Sequence, residues 1–466
     1  MLIIADDITG AAEIAGIAWR KGMKVRLMVY QPNMPTTPLS SWRGAGGEAL
    51  ILATDTRSGT EEEAVKTIET LFNSPLQGGV GGGLIFKKTD SVLRGHVAAE
   101  LEALMRLTGK SNTLLIPQNP SKGRIVKDGI YYINGTPLDQ TSFAYDPEFP
   151  AKTAEAKKLL KRSAEVQECR SSDNSWTSNP SSPSSHLSSI SSPKGEDGKG
   201  LHFPDATTLE EIREHVAKAD PNTLFAGGAD MFEAVVDYLL GVQEFRSAGV
   251  QTLPSSTNNS STRQLVNLST CEALNSSTEK ILILCGSTQS RSLINEPFFA
   301  DKNAIEVTMP EDVFHGTASI HEINKWIATL KDHWQNHDAM IVRIGHEATG
   351  GKEYAVRLRN LFGEMAYQIL SPDQGVQSTN NSSTCQLVNS STCEALNSST
   401  CEALNSSTNI ILEGGATAYT VLERLGISSF DVEYEYSPGV VCLSHGNMRI
   451  ILKPGSYPWG NLFEEL

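Results

Sequence analysis

Asp6 and Asp7 are adjacent carboxylates set between a short apolar run, Leu2-Ile3-Ile4-Ala5, and a helix-forming run from Ala11 to Lys21 that closes at Gly22. An apolar strand, a small-residue turn and a helix in that order place functional groups at the carboxyl end of a strand in an α/β domain. Two acids crowded there repel each other and lose hydration. The pair therefore favours a bound cation or a hydroxyl-rich ligand that donates to it. Capping is the competing explanation, because Asp7 or Thr9 can satisfy the free N–H groups of a first helical turn. A cap explains one acid and leaves the other.

Two more strand ends carry related chemistry. Leu50 to Ala53 runs into Thr54-Asp55-Thr56-Arg57-Ser58, and the next strand ends in Lys87-Lys88-Thr89-Asp90-Ser91-Val92-Leu93-Arg94-Gly95-His96. Strand ends of one sheet converge, so these residues are expected to line one polar pocket rather than scattered turns. A guanidinium fork suits a carboxylate, and Asp side chains accept from sugar hydroxyls. The combination fits a small polyhydroxy acid better than an apolar or neutral ligand. His96 could serve as a general base, because histidine suits that chemistry, but it is read as a first-turn helix residue without a role.

In the second half, Leu282-Ile283-Leu284-Cys285 leads into Gly286-Ser287-Thr288, and Ile410-Ile411-Leu412-Glu413 leads into Gly414-Gly415-Ala416-Thr417-Ala418. A strand, a small-residue turn and a helix start offer backbone N–H groups to a phosphate. Either turn alone could be an ordinary tight turn; the two together suggest a nucleotide. Other glycine-bearing segments are set aside. Gly79-Val80-Gly81-Gly82-Gly83 precedes a strand instead of following one, and Gly109-Lys110-Ser111 has Leu104 where a P-loop needs glycine. Gly109 reads as a helix C-cap. Asp6 and Asp7 also lack the intervening residue of a haloacid-dehalogenase phosphatase loop.

The elements that must position these residues alternate. Strand-like runs fall at 2–5, 25–30, 49–53, 84–88, 113–116 and 223–226, with helical patterns at 60–72, 96–108 and 230–240. Farther on, strands at 280–285, 304–308, 339–344 and 409–412 alternate with helices near 290–299, 317–333, 352–370 and 416–425. Such alternation predicts an α/β fold of two domains, each a mainly parallel sheet wound with helices, with the active site in the cleft between them. The expected domains are 1–241, with a Ser/Pro-rich insert at about 170–199, and 280–466, with an insert at about 377–408. A disordered linker, 242–279, joins them. An Asn-Ser-Ser-Thr-Cys-Glu-Ala-Leu unit recurs through 377–408 and, degraded, through 254–278. Its Ser/Thr/Asn-rich composition cannot offset ordering entropy by apolar burial, so both tracts are expected to be surface loops.

At 466 residues, two domains are the default. A net charge of −15 argues against a general nucleic-acid or membrane-surface role. No apolar run is long enough to span a bilayer, and acids at residue 6 break any secretory signal pattern. Outside the repeats and the Ser-rich tract, Cys285 and Cys442 remain, read as small buried residues with no metal-type spacing. A cytoplasmic enzyme is the expected class.

Taken in order, the segments resemble the four-carbon acid sugar kinases, which phosphorylate threonate, erythronate and 3-oxo-tetronates. The resemblance rests on Ile4 to Gly10, Asp55 to Ser58, Lys88 to Gly95, Pro120-Ser121-Lys122-Gly123-Arg124, Asp128-Gly129, Asn134 to Leu138 and Asp146-Pro147. Gly286-Ser287, Gly414 to Ala418, Pro438-Gly439 and Lys453-Pro454-Gly455 continue it. It implies ATP and Mg²⁺ as cofactors, a small sugar acid as substrate, no nucleic-acid or membrane partner, and a homodimer as a plausible assembly. It implies Asp7 or Asp90 as the catalytic acceptor of the hydroxyl proton, with Asp6, Arg57, Lys88, Ser91, Arg94 and Gly95 binding substrate. Gly286, Ser287, Gly414, Gly415, Ala416, Thr417, Gly439, Lys453 and Gly455 are implied for the nucleotide. No metal ligand is assigned. Two departures stand out. Ala416 occupies a position where the family usually has an acid, and Pro454 removes a backbone donor. They motivate an alternative, a sugar-acid or nucleotide sensor that kept the site and lost turnover.

Overall fold

The computed structural model describes residues 1–31, 48–73, 84–146, 149–160, 200–247, 280–288, 290–347, 351–371 and 408–466. The repeat tracts, the Ser/Pro-rich insert and the Gly79–Gly83 run lie outside the described residues, apart from residue 408. The chain forms two compact units, Met1–Val25 with Tyr30–Leu239, and Arg26–Val29 with Leu240–Leu466.

The first unit is built on parallel strands β1 (Leu2–Ala5), β3 (Glu48–Ala53), β4 (Ile85–Lys88), β5 (Asn112–Ile116), β9 (Gly200–His202) and β10 (Thr223–Gly227). Their order is β3-β1-β4-β10-β5-β9, every neighbouring pair parallel. The strands read as continuous apolar runs because both faces are covered. Helices α1 (Ile8–Arg20), α2 (Glu61–Asn73), α3 (Val97–Thr108), α4 (Leu209–Ala217) and α5 (Ala229–Ser247) follow the strands. In α1 every residue from Ile8 to Ala18 is buried, including Glu13. Gly109 ends α3 in the left-handed conformation, the C-cap expected of it. A small antiparallel sheet, β6 (Arg124–Lys127), β7 (Ile130–Ile133) and β8 (Thr136–Pro137), was not foreseen.

The second unit has parallel strands β11 (Lys280–Cys285), β12 (Ala304–Thr308), β13 (Ala339–Arg343), β14 (Thr408–Glu413) and β17 (Met448–Lys453), in the order β12-β13-β11-β14-β17. Antiparallel strands extend it: β16 (Val440–His445), β15 (Ser429–Ser437) and the Arg26–Met28 part of β2 (Lys24–Val29). Helices α6 (Glu311–His315), α7 (Ile320–Asn336), α8 (Lys352–Leu370), α9 (Gly415–Arg424) and α10 (Leu462–Glu465) complete it.

One expected helix is absent. Residues 290–299 form turns and a single 3₁₀ turn, Pro297–Phe299. The Glu306 carboxylate accepts from the Leu293 and Ile294 amides at 2.8 and 3.1 Å and from Ser292 Oγ at 3.0 Å, so those donors turn to a strand side chain. Pro297 holds Glu296 extended, with ψ 140°, which a helix cannot accommodate.

Candidate active site

The first unit gathers its polar residues at the carboxyl ends of β1, β3 and β4. Asp7 is the N-cap of α1: its Oδ1 accepts from the Gly10 amide at 2.9 Å and its Oδ2 from Thr9 Oγ1 at 2.7 Å. Capping is therefore real, and it is only part of the role. Arg57 turns back from the end of β3 and donates through Nε to Asp6 Oδ2 at 2.9 Å. Its terminal nitrogens lie 2.8 Å from Asp6 Oδ2, 3.1 Å from Asp7 Oδ1 and 3.7 Å from Asp90 Oδ1. One guanidinium thus holds three carboxylates together.

Asp90 is gripped again from its own loop. Arg94 donates to both of its oxygens, at 2.9 and 3.0 Å, and the Val92 and Arg94 amides reach Oδ2 at 3.2 Å. Arg94 also pairs with Asp146 at 3.2 Å and lies over the Phe143 ring. Gly95 packs where a Cβ would approach Arg57 and Asp6 Oδ2. Ser91 accepts from Arg124 through Oγ, and its carbonyl accepts from Tyr131 at 2.5 Å. Asp55 and Leu93, at the turns that carry Arg57 and Arg94, have left-handed φ of 49° and 59°. Non-glycine residues held there store strain where loops must aim side chains.

Lys88, at the end of β4, lies close to the first turn of α1. It donates to the Thr89 carbonyl at 3.0 Å and lies 3.5 Å from Glu13, which also pairs with Lys122. A methyl on Gly10 would fall 2.5 Å from Asp7 Oδ1 and 3.3 Å from Lys88 Nζ. The turn therefore needs glycine so that acid and ammonium can approach. Sequence reasoning passed over Lys122 and Glu13 as site residues. Lys122 belongs to the Pro120–Arg124 segment that carries the family resemblance, and that was the available signal.

Burial alone would push these carboxyls up, because it disfavours the charged form. For Asp90 the charges of Arg94 and Arg57 and the Arg94 hydrogen bonds outweigh it and hold the carboxyl well below the usual range. For Asp6 burial is again outweighed, by Arg57 and then Lys87. Arg57 is raised well above its ordinary value by the three acids despite its own desolvation. Asp6 and Asp90 are thus held ionised, accepting hydrogen bonds instead of taking up protons near neutrality. Asp6 Oδ1 is buried without a protein hydrogen-bond partner.

With each acid held by a guanidinium, the set does not fit a metal ion. Among the described residues no group of three or more His, Cys, Asp or Glu side chains is arranged to hold one. His96 stands at the start of α3 and contacts the Gly59 carbonyl through Nε2 at 3.0 Å, which ties two loops together.

In the second unit, the ends of β11, β14 and β17 meet. The Gly414 amide donates to the Lys453 carbonyl at 2.9 Å and the Gly286 amide to the Glu413 carbonyl at 3.1 Å. Gly414 starts α9 with φ 98°, a conformation reserved for glycine, and no side chain caps the helix. The amides of Gly415, Ala416 and Thr417 form its first turn, where no intrahelical acceptor exists. A Cβ on Gly286 would lie 2.0 Å from Thr417 Oγ1, and one on Gly455 would lie 3.2 Å from Ser287 Oγ. Close backbone approach and uncapped amides fit a phosphate chain. Ala416 is exposed at this turn. Lys453 is buried beneath, paired with Glu413 and 4.7 Å from the Trp459 ring centroid, and Ser290 also bonds Glu413. Gly439 lies near Pro454 and Tyr457, and its amide donates to Glu435 at 3.1 Å.

Residues 1–235 match the family described as a sugar-binding N-terminal domain. The chain is 32% identical to a D-erythronate kinase of Heliobacterium modesticaldum over 32% of this chain and 33% of that protein. It is 26% identical to a D-threonate kinase of Salmonella typhimurium over 36% of this chain and 37% of that one. The matches thus span about a third of the relatives' own length. Two solved structures share the fold over the whole of this chain and 98% of their own, each at 17% identity. One, from Salmonella typhimurium and titled a putative tRNA synthase, has a TM-score of 0.61. The other, a Haemophilus influenzae protein of the DUF1537 family, has 0.55. Among the described residues no helix is long and apolar enough to cross a membrane. The chain belongs to the sugar-binding N-terminal domain family.

Proposed function

We propose that the chain is an ATP-dependent kinase that phosphorylates the terminal 4-hydroxyl of a four-carbon sugar acid: threonate, erythronate or 3-oxo-tetronate. The observation that carries this reading is the buried Arg57 clamp on Asp6, Asp7 and Asp90 at three converging strand ends. Such a clamp offers ionised acceptors to hydroxyl groups, and Asp6 Oδ1 is an acceptor that a ligand hydroxyl would satisfy. Lys88, Arg94 and the nearby Lys122 supply cations for the acid end.

Phosphoryl transfer passes through a loose transition state, so positioning matters more than a strong base. That suits Asp7 and Asp90. Asp90 is a weak proton acceptor, and either acid would orient the attacking hydroxyl by accepting its hydrogen bond. The Gly286, Gly414 and Gly455 turns with the first turn of α9 would hold the triphosphate of ATP, which supplies the phosphoryl group together with Mg²⁺. The exposed Ala416 favours a second reading, a sensor that binds the same ligands without turnover.

Measuring ADP release with the D and L forms of threonate and erythronate and with a 3-oxo-tetronate separates the two. The kinase reading expects ADP with at least one acid. Saturable acid binding with no ADP from any of them overturns it in favour of the sensor.

A further inference from the structure

Beneath the Arg57 clamp lies a buried ion pair that the proposed reaction does not use. Lys87, on β4, is fully buried, and Glu100, on α3, is 1% exposed. They meet at 2.9 Å through Lys87 Nζ and Glu100 Oε1. The same Glu100 oxygen accepts from Thr56 Oγ1 at 2.7 Å. Thr56 Oγ1 is 2.9 Å from Thr54 Oγ1, which donates to the Ala5 carbonyl at 2.9 Å.

The chain of contacts runs from α3 through β4 to the loop after β3 and ends on the last residue of β1. Two of its members border the clamp. Ala5 precedes Asp6 and Thr56 precedes Arg57, whose amide bonds the Asp6 carbonyl at 3.3 Å. Removing two charges from water is costly, and an apolar pair of similar volume often serves stability as well or better. A buried pair kept directly under a ligand pocket therefore suggests a geometric task. Lys87 also adds positive charge beside Asp6, second to Arg57 in opposing the effect of burial on that carboxyl.

We propose that Lys87 and Glu100, acting through Thr56, are positioning residues that fix the 54–57 loop so that Arg57 meets Asp6 and Asp7 in the sugar-acid pocket. This role rests on the sugar-acid reading given above. Glu100 orients the Thr56 hydroxyl, Lys87 holds Glu100 in place, and Thr56 sets the backbone from which Arg57 turns. None of the three touches substrate; each acts through Arg57.

The test compares Thr56→Val, Thr56→Ser and the double variant Lys87→Met/Glu100→Met with the parent chain. Steady-state kinetics, thermal unfolding and hydrogen–deuterium exchange of residues 54–57 are read for each. Thr56→Val keeps shape and loses the hydroxyl. It is expected to raise KM for the sugar acid about tenfold and leave KM for ATP within about twofold, a split expected of lost preorganisation. Thr56→Ser keeps the hydroxyl and restores the parent KM. The double variant unfolds at or above the parent temperature yet shows the same rise in sugar-acid KM and faster exchange at 54–57. A double variant with parent KM and parent exchange overturns the proposal, as does a Thr56→Val loss shared equally by both substrates. Should the parent release no ADP with any acid, the kinase reading fails separately. Exchange at 54–57 then decides the positioning role: faster in Thr56→Val supports it, and unchanged overturns it.

Discussion

Replacing Arg57 with methionine tests the clamp most severely. The substitution keeps length and apolar bulk and deletes the charge that faces Asp6 at 2.8 Å, Asp7 at 3.1 Å and Asp90 at 3.7 Å. Asp90 keeps Arg94, and Asp7 keeps its bonds to Gly10 and Thr9. Asp6 loses its guanidinium partner and is 1% exposed. Breaking a buried pair by removing one partner costs about 3–5 kcal/mol. At about 2–4 °C per kcal/mol, that lowers the unfolding temperature by roughly 6–20 °C.

The pH dependence fixes the sign. In the parent, Asp6 and Asp90 sit below their unfolded values, so their contribution is complete above about pH 4 and is lost as pH falls through the folded values. Without Arg57, burial leads and raises the Asp6 carboxyl. The ionised form then costs stability at pH 7, and protonation relieves that cost as the pH falls. Calorimetry of the full chain at pH 7 and pH 5 should show a variant–parent gap that narrows at the lower pH. A gap under about 1 kcal/mol, or one equal at both pH values, refutes the reasoning.

Other outcomes follow from the same geometry. Asp7→Asn preserves an N-cap acceptor but removes the charge. It should lower kcat/KM for the sugar acid about 100-fold, by loss of an oriented acceptor, with KM for ATP within about twofold, and equal loss on both substrates would leave Asp7 a purely structural cap. Gly10→Ala places a methyl against Asp7 Oδ1 and Lys88 Nζ and should cost about 1–3 kcal/mol of stability by overpacking, read by urea unfolding. Gly286→Ala drives a Cβ into Thr417 and should weaken ATP binding in calorimetry while sparing the sugar acid. Adding Thr417→Gly removes every Thr417 atom that the new Cβ would meet and should recover part of the affinity. Strictly additive losses would show that the two do not pack together.

Strand ends were legible because a four- to six-residue apolar run followed by acids or glycines is a local pattern. Asp6-Asp7, Arg57 and Asp90-Arg94 could be found that way. What they do to one another could not. Three acids on one guanidinium depend on the order β3-β1-β4, and no spacing in the chain encodes that order. The Lys87–Glu100 pair was hidden for a similar reason: thirteen residues separate a strand lysine from a helix glutamate, and only the packing of α3 brings them together. The antiparallel strands β15 and β16 did leave a signal. Phe430, Val432, Tyr434 and Tyr436 alternate with polar residues, and Pro438-Gly439 marks the turn, with Gly439 at φ 88°. That period-two pattern was passed over in favour of strand–helix alternation. The missing helix at 290–299 failed differently, because Glu306 captured its amides from a distant strand.

The central claim is transfer of a phosphoryl group to the 4-hydroxyl of a sugar acid. The most direct measurement is ³¹P and ¹H NMR of the product formed from ATP, Mg²⁺ and the acid that gives the fastest ADP release, beside its 4-deoxy analogue. The account predicts a phosphomonoester coupled to the C4 protons, in amounts equal to the ADP formed, and none from the analogue. Phosphate on another oxygen, or ADP matched only by inorganic phosphate, would contradict it.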